Sequence, residues 1–555
     1  MHTFIFVVFI LILVSLIFIY EHKTKIKKLR ILIKKQYGRK PNIKKCDSFK
    51  LGYYWREHAE KVAADEKIDD ITWNDLEMDN VFCRINNCNS FVGEQVLYSA
   101  LHCISKSSSF IELLELKISF FAAHDKERED IQLLLCGLGK GSGSYFLPSF
   151  IAKMDAFRIS GIWKYRLMQI ILASSALPVI FYKNTNFLFV TLCVLITNIV
   201  IYAINKVKYE VDLDMLNSII KVVNVGYQIA DTKKYSYENE FHDLKKEAAI
   251  FKKLSSRVNI LLRKKQASLS GDVFGLIFDY LIGGTLWDFI KYDQIIRILD
   301  GKQNDYTELY KKIGEVDMAI TLASFRESLP LVCTPTFWGK HILQVEQIFH
   351  PLIDEPICNT VNIDKSCIIT GSNASGKSTF IKAIAINVIL AQSIHTCMAK
   401  KMNLPYARII TSMAVRDDLM SGESYYIKEI KYLNRIVQSL SEERLVICAI
   451  DEILRGTNTE ERIAASSSIL KFIDKKNCIA IVASHDIELT QILDKTYDNY
   501  HFCEQIQEKD IAFDFKIHDG VTTSRNAIKL LEYVGFPDEI IIDAKKPFLE
   551  TEKKK

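Results

Sequence analysis

The chain has 555 residues, with 72 basic and 67 acidic side chains and a formal net charge of +5; 49% of residues are hydrophobic and 25% charged. At roughly 150 residues per domain this length calls for three or four structural units, and the ordinary balance of apolar and charged residues excludes wholesale disorder. Only 10 prolines and 22 glycines favour long helices over sandwich or collagen-like folds, and so mild a charge identifies no nucleic-acid partner without a localised basic face.

The first predicted element is Thr3 to Tyr20, an apolar run interrupted only by Ser15 and long enough to cross a bilayer. No basic residue precedes it and no A-x-A-like site follows, so residues 1–22 read as a transmembrane helix rather than a cleaved signal peptide. Lys23, Lys25, Lys27, Lys28 and Arg30 follow at once, which places the next segment in the cytoplasm. Residues 23–165 mix charges with periodic apolar positions and read as a helical cytoplasmic unit. Leu167 to Tyr182 and Phe187 to Ile204 are two more apolar runs joined by a short polar link, a transmembrane hairpin over 166–205. Arg158, Lys164 and Arg166 precede it and Lys206 and Lys208 follow it, so both ends are cytoplasmic. A buried core hairpin is the alternative, because Leu167 to Tyr182 is short and contains Pro178. Gly275 to Ile290 carries Asp279 and Asp288 and reads as a buried soluble helix within a helical region over 206–338. From Ile357 onward short β-branched runs alternate with helical stretches, the pattern of an α/β nucleotide-binding domain, assigned to 339–555. Thirteen cysteines without a C-x-x-C pair fit a reducing compartment.

Chemistry concentrates in that last unit. The apolar strand Cys367 to Thr370 runs into Gly371, Ser372, Asn373, Ala374, Ser375, Gly376, Lys377 and Ser378, followed by Thr379 and a helical pattern. This is G-x-x-x-x-G-K-[ST], in which glycines let backbone N–H groups and a helix amino terminus face an anion. Lys377 is expected to reach the β- and γ-phosphates of ATP and Ser378 to offer its hydroxyl to Mg²⁺. A second strand, Leu445 to Ile450, ends in Asp451 and Glu452: Asp451 suits the Mg²⁺ shell and Glu452 the general base for the attacking water. A third, Cys478 to Ala483, ends in Ser484 and His485, placing a histidine beside the γ-phosphate.

Taken together these residues resemble the MutS family of ATPases, relatives of the ABC ATPases that work as dimers and include the DNA mismatch-repair sensors. Thr370 to Thr379 is similar to T-G-x-N-x-[GS]-G-K-S-T, including the inner Asn373, and Asp451 to Thr459 is similar to D-E-x-x-R-G-T-x-T. Asp417, Asp418 and Leu419 with Gly422, Ser424 and Glu429 resemble D-D-L-x-x-G-x-S-x-x-x-x-E, the loop that in this family reaches the partner's ATP. The run from His501 to Phe515, then Asp519, Gly520, Ser524 and Gly535 to Pro537, resembles the family's final strands and helix. The resemblance implies that His501 contacts adenine and that Ser424 acts in trans across a homodimer with composite ATP sites. More weakly, Glu315, Asp317 and Ala323 look like the helical core before the ATPase domain, and Val81 to Asn87 through Gly93 looks like the start of the lever region. The implied fold is an α/β P-loop, ABC-type ATPase domain carboxyl-terminal to a mostly α-helical core and lever region, with about three transmembrane helices. Membrane helices interrupting that core resemble a membrane-anchored MutS-like subgroup.

The repair sensors begin with a mismatch-recognition domain where this chain has its apolar segment, so that function is not carried over. The expectation is a multi-pass membrane protein with a cytoplasmic domain that binds and hydrolyses ATP with Mg²⁺ and acts on DNA. Lys252, Lys253, Arg257, Arg263, Lys264 and Lys265 offer a phosphate-contacting face, with an ordinary solvated helix as the alternative. A second class of function, an ATP-driven membrane mechanical or scaffold module without DNA, is kept beside it.

Overall fold

Two helices form the centre of the amino-terminal region. Gln303–Glu327 buries Tyr306, Leu309, Tyr310, Ile313, Val316, Ile320 and other residues at three- and four-residue spacing, one apolar stripe along 25 residues. Phe91–Leu101 packs against it. The approach is close because Gly314 faces Val96, whose Cγ2 would lie 2.3 Å from a Cβ at that position. The loop after Met78–Ile85 is tied to the same helix by the buried Asp317, which accepts from Asn89 N at 2.9 Å, Ser90 N at 2.8 Å and Ser90 Oγ at 2.6 Å. Ser90 Oγ in turn accepts from Gly93 N at 3.1 Å and caps Phe91–Leu101. The two upstream segments around Val81 to Gly93 and Ile313 to Phe325 therefore meet at one buried carboxylate. Burial pushes its carboxyl up against the pull of those donors.

The computed structural model describes residues 20–21, 23–42, 45–104, 108–182, 185–231, 242–252, 283–372, 375–413, 425–440, 443–507, 510–521 and 534–544. The apolar run expected to open the chain lies outside them apart from Tyr20. So do the basic residues from Lys253 to Lys265.

The expected hairpin is present as two antiparallel helices. Tyr165 OH donates to Asn205 Oδ1 at 3.0 Å near its base, and Thr191 Oγ1 donates to Ser175 O at 2.7 Å further out. The first helix is Ile162–Tyr182 and the second Thr185–Ala230, in which only Tyr209 departs from helical φ/ψ. The end expected near residue 205 is thus a kink inside one long helix. Before the kink Leu188, Phe189, Leu192, Ile196 and Val200 are at least half exposed; beyond it Met215, Leu216, Ile219, Ile220 and Val223 are buried. Among the described residues two helices are long and apolar enough to cross a membrane. Asn186–Lys206 has mean hydropathy 2.5 and is 11% buried, whereas Lys377–Ile394 has mean hydropathy 1.2 and is 83% buried, the mark of a core helix. Ile162–Tyr182, whose first turns carry Lys164, Arg166 and Gln169, is not one of the two. Of the run Gly275 to Ile290, the described part leads into Trp287–Leu299, with Asp288 buried and accepting from Tyr202 OH at 3.1 Å.

The carboxyl-terminal region holds ten strands among the described residues. β1 (Thr336–Phe337), β2 (Leu343–Ile348), β3 (Asn359–Ile363) and β5 (Lys401–Leu404) form a four-stranded sheet in the order β1-β5-β2-β3. β4 (Cys367–Thr370), β6 (Arg408–Ser412), β7 (Val446–Asp451), β8 (Cys478–Ala483), β9 (Asp498–Gln507) and β10 (Asp510–Asp519) form a six-stranded sheet in the order β10-β9-β4-β8-β7-β6. Its strands pair in parallel except the β9-β10 hairpin. The residues of β4 and nearly all of β7 and β8 are buried, as near-continuous apolar runs predict for strands covered on both faces. A helical amino-terminal region thus precedes a mixed α/β domain.

Candidate functional site

β4, β8 and β7 are parallel neighbours, so the segments that follow them leave the same edge of the sheet. After β4 the chain turns at Gly371, φ 145°, and again at Gly376, φ 106°, conformations a side chain rarely adopts. Phe502 O and Ser375 Oγ would each lie 3.0 Å from a Cβ at Gly371. Lys377 opens the helix Lys377–Ile394 and is 4% exposed. Its ammonium donates to Gly371 O and Ser372 O, both at 2.7 Å, and so lies across the loop. A helix amino terminus with a buried ammonium beside it is an anion cradle. Ser372, Gly376, Lys377, Ser378, Thr379 and Glu452 line one cleft of about 460 Å³. Asn373 and Ala374 lie outside the described residues.

β7 delivers the acidic pair. Asp451, opposite Ala483 in the β7-β8 register, has a buried Oδ1 with no hydrogen-bond partner among the described residues. A buried carboxylate oxygen without a donor is costly, and a cation satisfies it. Among the described residues no three His, Cys, Asp or Glu side chains converge as a metal cage. Mg²⁺ in phosphate sites needs no such cage, since one or two carboxylates act with substrate oxygens and water. Asp451 and the Ser378 hydroxyl fit that requirement.

Glu452 adopts φ 59°, the sparsely populated left-handed region, and its N–H donates to Ala483 O at 3.1 Å. This turn brings the carboxylate to the cleft, where Oε1 lies 2.9 Å from His485 Nε2 and Oε2 pairs with Arg455. Burial pushes its pKa up, but His485 and Arg455 outweigh it, and the group ends below the ordinary carboxylate range. Glu452 is therefore ionised at neutral pH. His485 is held from behind: Ser484 N donates to Ile369 O at 3.1 Å, and Asp486 takes both arms of Arg462 at 2.8 and 2.7 Å.

The segment after Glu452 is braced by the helix Tyr425–Ser439. Glu429, 3% exposed, accepts from Arg455 N at 2.9 Å and Gly456 N at 3.4 Å. Gly456 allows the contact, since Tyr426 Cβ would lie 3.0 Å from a Cβ there. Asn458 then caps Thr459–Asp474 by accepting from Glu461 N at 2.9 Å. Two separate sequence motifs thus clamp one another next to the candidate base. Ser424 lies outside the described residues.

His501, for which the resemblance implies an adenine contact, lies in β9. It pairs with Thr370 and His518 in the sheet, and its Nδ1 meets Gly520 O at 3.0 Å. It is not among the described residues lining the cleft. Alternation along β9 gives that face to its neighbour Phe502, which lines the cleft with Phe515. Also unanticipated is a wall from the β2-β3 connection, with His350, Ile353, Pro356 and Ile357. Burial, then Lys382, holds His350 down at about 4, so it is neutral at physiological pH. A His-Pro step after an alternating strand is a faint signal for such a wall, because turn residues mark the loop but not what it faces.

Residues 367–552 match the family model of MutS domain V. Over 262 residues the chain is 31% identical to the DNA mismatch repair protein MutS of Pseudothermotoga lettingae, covering 45% of this chain and 32% of that protein. Over 245 residues it is 29% identical to the protein of the same name from Thermotoga petrophila, covering 42% and 30%. The corresponding protein of Streptococcus pyogenes is 29% identical over 251 residues, covering 43% and 29%. The chain spans about a third of the length of these relatives. Its mixed α/β region is accordingly similar to MutS domain V and to the corresponding part of these MutS proteins.

Proposed function

We propose that the chain is a membrane-anchored MutS-like ATPase with a P-loop, ABC-type domain, hydrolysing Mg²⁺-ATP in composite sites of a homodimer and acting on DNA. The observation that carries the ATPase reading is the Glu452–His485 contact at 2.9 Å on the cleft that also holds Lys377 and Ser378. The triphosphate of ATP lies on the loop and helix amino terminus, where the Lys377 ammonium exchanges carbonyl oxygens for β- and γ-phosphate oxygens. Asp451 and Ser378 would hold Mg²⁺, which would supply charge neutralisation at the phosphates. Glu452, ionised, takes a proton from the attacking water as its oxygen bonds to the γ-phosphorus. The bond to the bridging oxygen breaks, and ADP carries away that electron pair. His485, with its proton on Nε2, keeps the carboxylate aimed. Lys377→Ala is expected to abolish turnover, and Ser424→Arg to spare folding yet block the ATP-dependent dimer, read as mass in solution with and without ATP.

Membrane anchoring rests on Asn186–Lys206, whose 21 residues span ~31 Å at 1.5 Å per residue, against about 30 Å of hydrocarbon. Basic Arg158, Lys164, Arg166 and Lys206 at the hairpin base favour a cytoplasmic ATPase domain, with Thr3 to Tyr20 as a further span. The exposed apolar hairpin also favours a second reading, an ATP-driven membrane module without DNA. The deciding measurement is the ATPase rate of the detergent-purified full-length protein with linear, mismatched, branched and single-stranded DNAs at two salt concentrations. Stimulation by one structure supports action on DNA. An active enzyme indifferent to all of them, with only weak salt-sensitive binding, overturns it in favour of the membrane module.

A further inference from the structure

We propose that Asp69 and Asp75, two carboxylates of the amino-terminal helical region, are positioning residues for the ATPase centre, Asp69 acting through Arg435 and Asp75 through the end of β6 that Arg435 also grips. The proposal deepens the ATPase reading above and rests on it.

The short helix Asp70–Asp75 lies against β6, the outermost strand of the described six-stranded sheet. Asp75 Oδ2 accepts from Thr411 Oγ1 at 2.7 Å and from Met413 N at 3.0 Å, and Thr72 Oγ1 accepts from Thr411 N at 3.3 Å. Side chains of the helical region thus take up donors at the edge and end of β6, where a further strand would otherwise pair. Arg435 closes the same junction from the other side. Its guanidinium donates to Asp69 Oδ1 and to Thr411 O, while Asp69 Oδ1 also accepts from Thr72 N at 2.8 Å. One arginine therefore ties the helical region, β6 and its own helix Tyr425–Ser439 together.

That helix carries the position of the junction to the chemistry. Glu429 lies six residues before Arg435, ~9 Å along the axis at 1.5 Å per residue. From there contacts run without a gap: Glu429 holds the N–H groups of Arg455 and Gly456, the Arg455 side chain pairs with Glu452, and Glu452 meets His485. The close approach of Gly456 to Tyr426 leaves no slack between helix and loop. A helix moves as a rigid rod, and charge-assisted bonds hold this one at Glu429 and at Arg435. Displacing the helical region from β6 therefore displaces Glu429, and with it the segment that orients the base. Apolar packing alone would give cohesion at this junction, but it would not fix the rotation of Tyr425–Ser439 as a forked guanidinium does.

The test uses full-length protein in detergent, with kcat, KM, affinity for a fluorescent ATP analogue and thermal midpoint measured for wild type, Asp69→Asn, Asp75→Ala, Arg435→Gln and the double variant Asp69→Asn/Arg435→Gln. The expected result is a fall in kcat of about 2- to 30-fold in each single variant, the range for residues that transmit coupling without touching ligand, with ATP affinity unchanged. The double variant is no slower than the slower single one, because both act through one contact. Arg435→Lys, which retains the charge and not the fork, keeps the helix docked if the others fail to fold and is expected to lose kcat in part. Unchanged kcat in folded variants overturns the proposal, as does a loss of ATP affinity and thermal midpoint in parallel with kcat. A wild type without Lys377-dependent turnover overturns the ATPase reading itself, and the positioning role falls with it.

Discussion

Glu452 occupies a left-handed backbone conformation between a buried Asp451 oxygen and the Arg455 guanidinium, and this strain aims its carboxylate. Strain of this kind persists only where the surroundings over-determine it, here through Ala483 O, His485 and Arg455. Glu452→Gln keeps the shape and removes the base, so ATP binding is expected to survive while hydrolysis slows roughly tenfold or more in single-turnover measurements. Because the folded pKa lies below the ordinary 4.5, the stabilisation from its partners is present above that value and fades as pH falls through the lower folded value. The midpoint of any acid limb that Glu452 imposes on turnover should accordingly lie below pH 4.5. A pH–rate profile of wild type checks it.

Elements in this protein are held to one another by single polar anchors at close backbone approaches. Gly456 against Tyr426 joins two motifs, and Gly456→Ala forces a Cβ to 3.0 Å from Tyr426 Cβ. Overpacking of this kind costs typically 1–3 kcal/mol, and kcat should fall further than the thermal midpoint alone implies because the displaced segment carries Arg455. At Asp317 an amide cannot accept at both oxygens. Asp317→Asn turns donors toward Ser90 N and Ser90 Oγ, which leaves buried groups unsatisfied. A loss of about 2–4 kcal/mol is expected in denaturant unfolding, with Asp317→Ala at least as damaging.

The whole molecule joins the cleft around Lys377 to an apolar hairpin through a helical region, and two predictions belong at that scale. The hairpin is expected to keep the protein in membranes through alkaline carbonate extraction, and release into the soluble fraction would refute the anchor. Stability should also fall with acid in a defined window. His102, stacked on Trp73 at 3.6 Å, and His350 are each held down to about 4 by burial, against an ordinary 6.5. Between those values the unfolded chain binds protons that the folded chain refuses, so stability is full above pH 6.5 and declines as pH drops toward 4. At 1.36 kcal/mol per unit the loss is about 3 kcal/mol for each histidine. His102→Gln should flatten part of that slope in thermal melts from pH 7 to pH 4.5, unlike wild type.

What the residues determine by themselves is what depends on near neighbours. Cys367–Thr370 and Cys478–Ala483 were legible as strands to the residue, because short apolar runs rich in Ile and Val suit strands buried on both faces. The glycine-lysine loop was legible because its geometry is set within eight residues, by two positive-φ glycines and a helix start. Other features needed the tertiary fold. Whether His501 or Phe502 faces the cleft depends on the phase of β9 against β4, which a one-residue shift inverts. The walls from His350 and Phe515, the grip of Glu429 on Gly456 and the docking of Asp75 on β6 join residues 27 to 338 positions apart. No local pattern encodes such pairs, since loop closure, packing and donor matching act together only once the chain is folded. The helix through Tyr209 belongs with them. Lys206, Lys208, Glu210, Asp212 and Asp214 mark a change of character around the kink, but only tertiary packing decides that Met215, Leu216 and Ile219 after it enter the core while Leu188, Phe189 and Leu192 before it stay exposed.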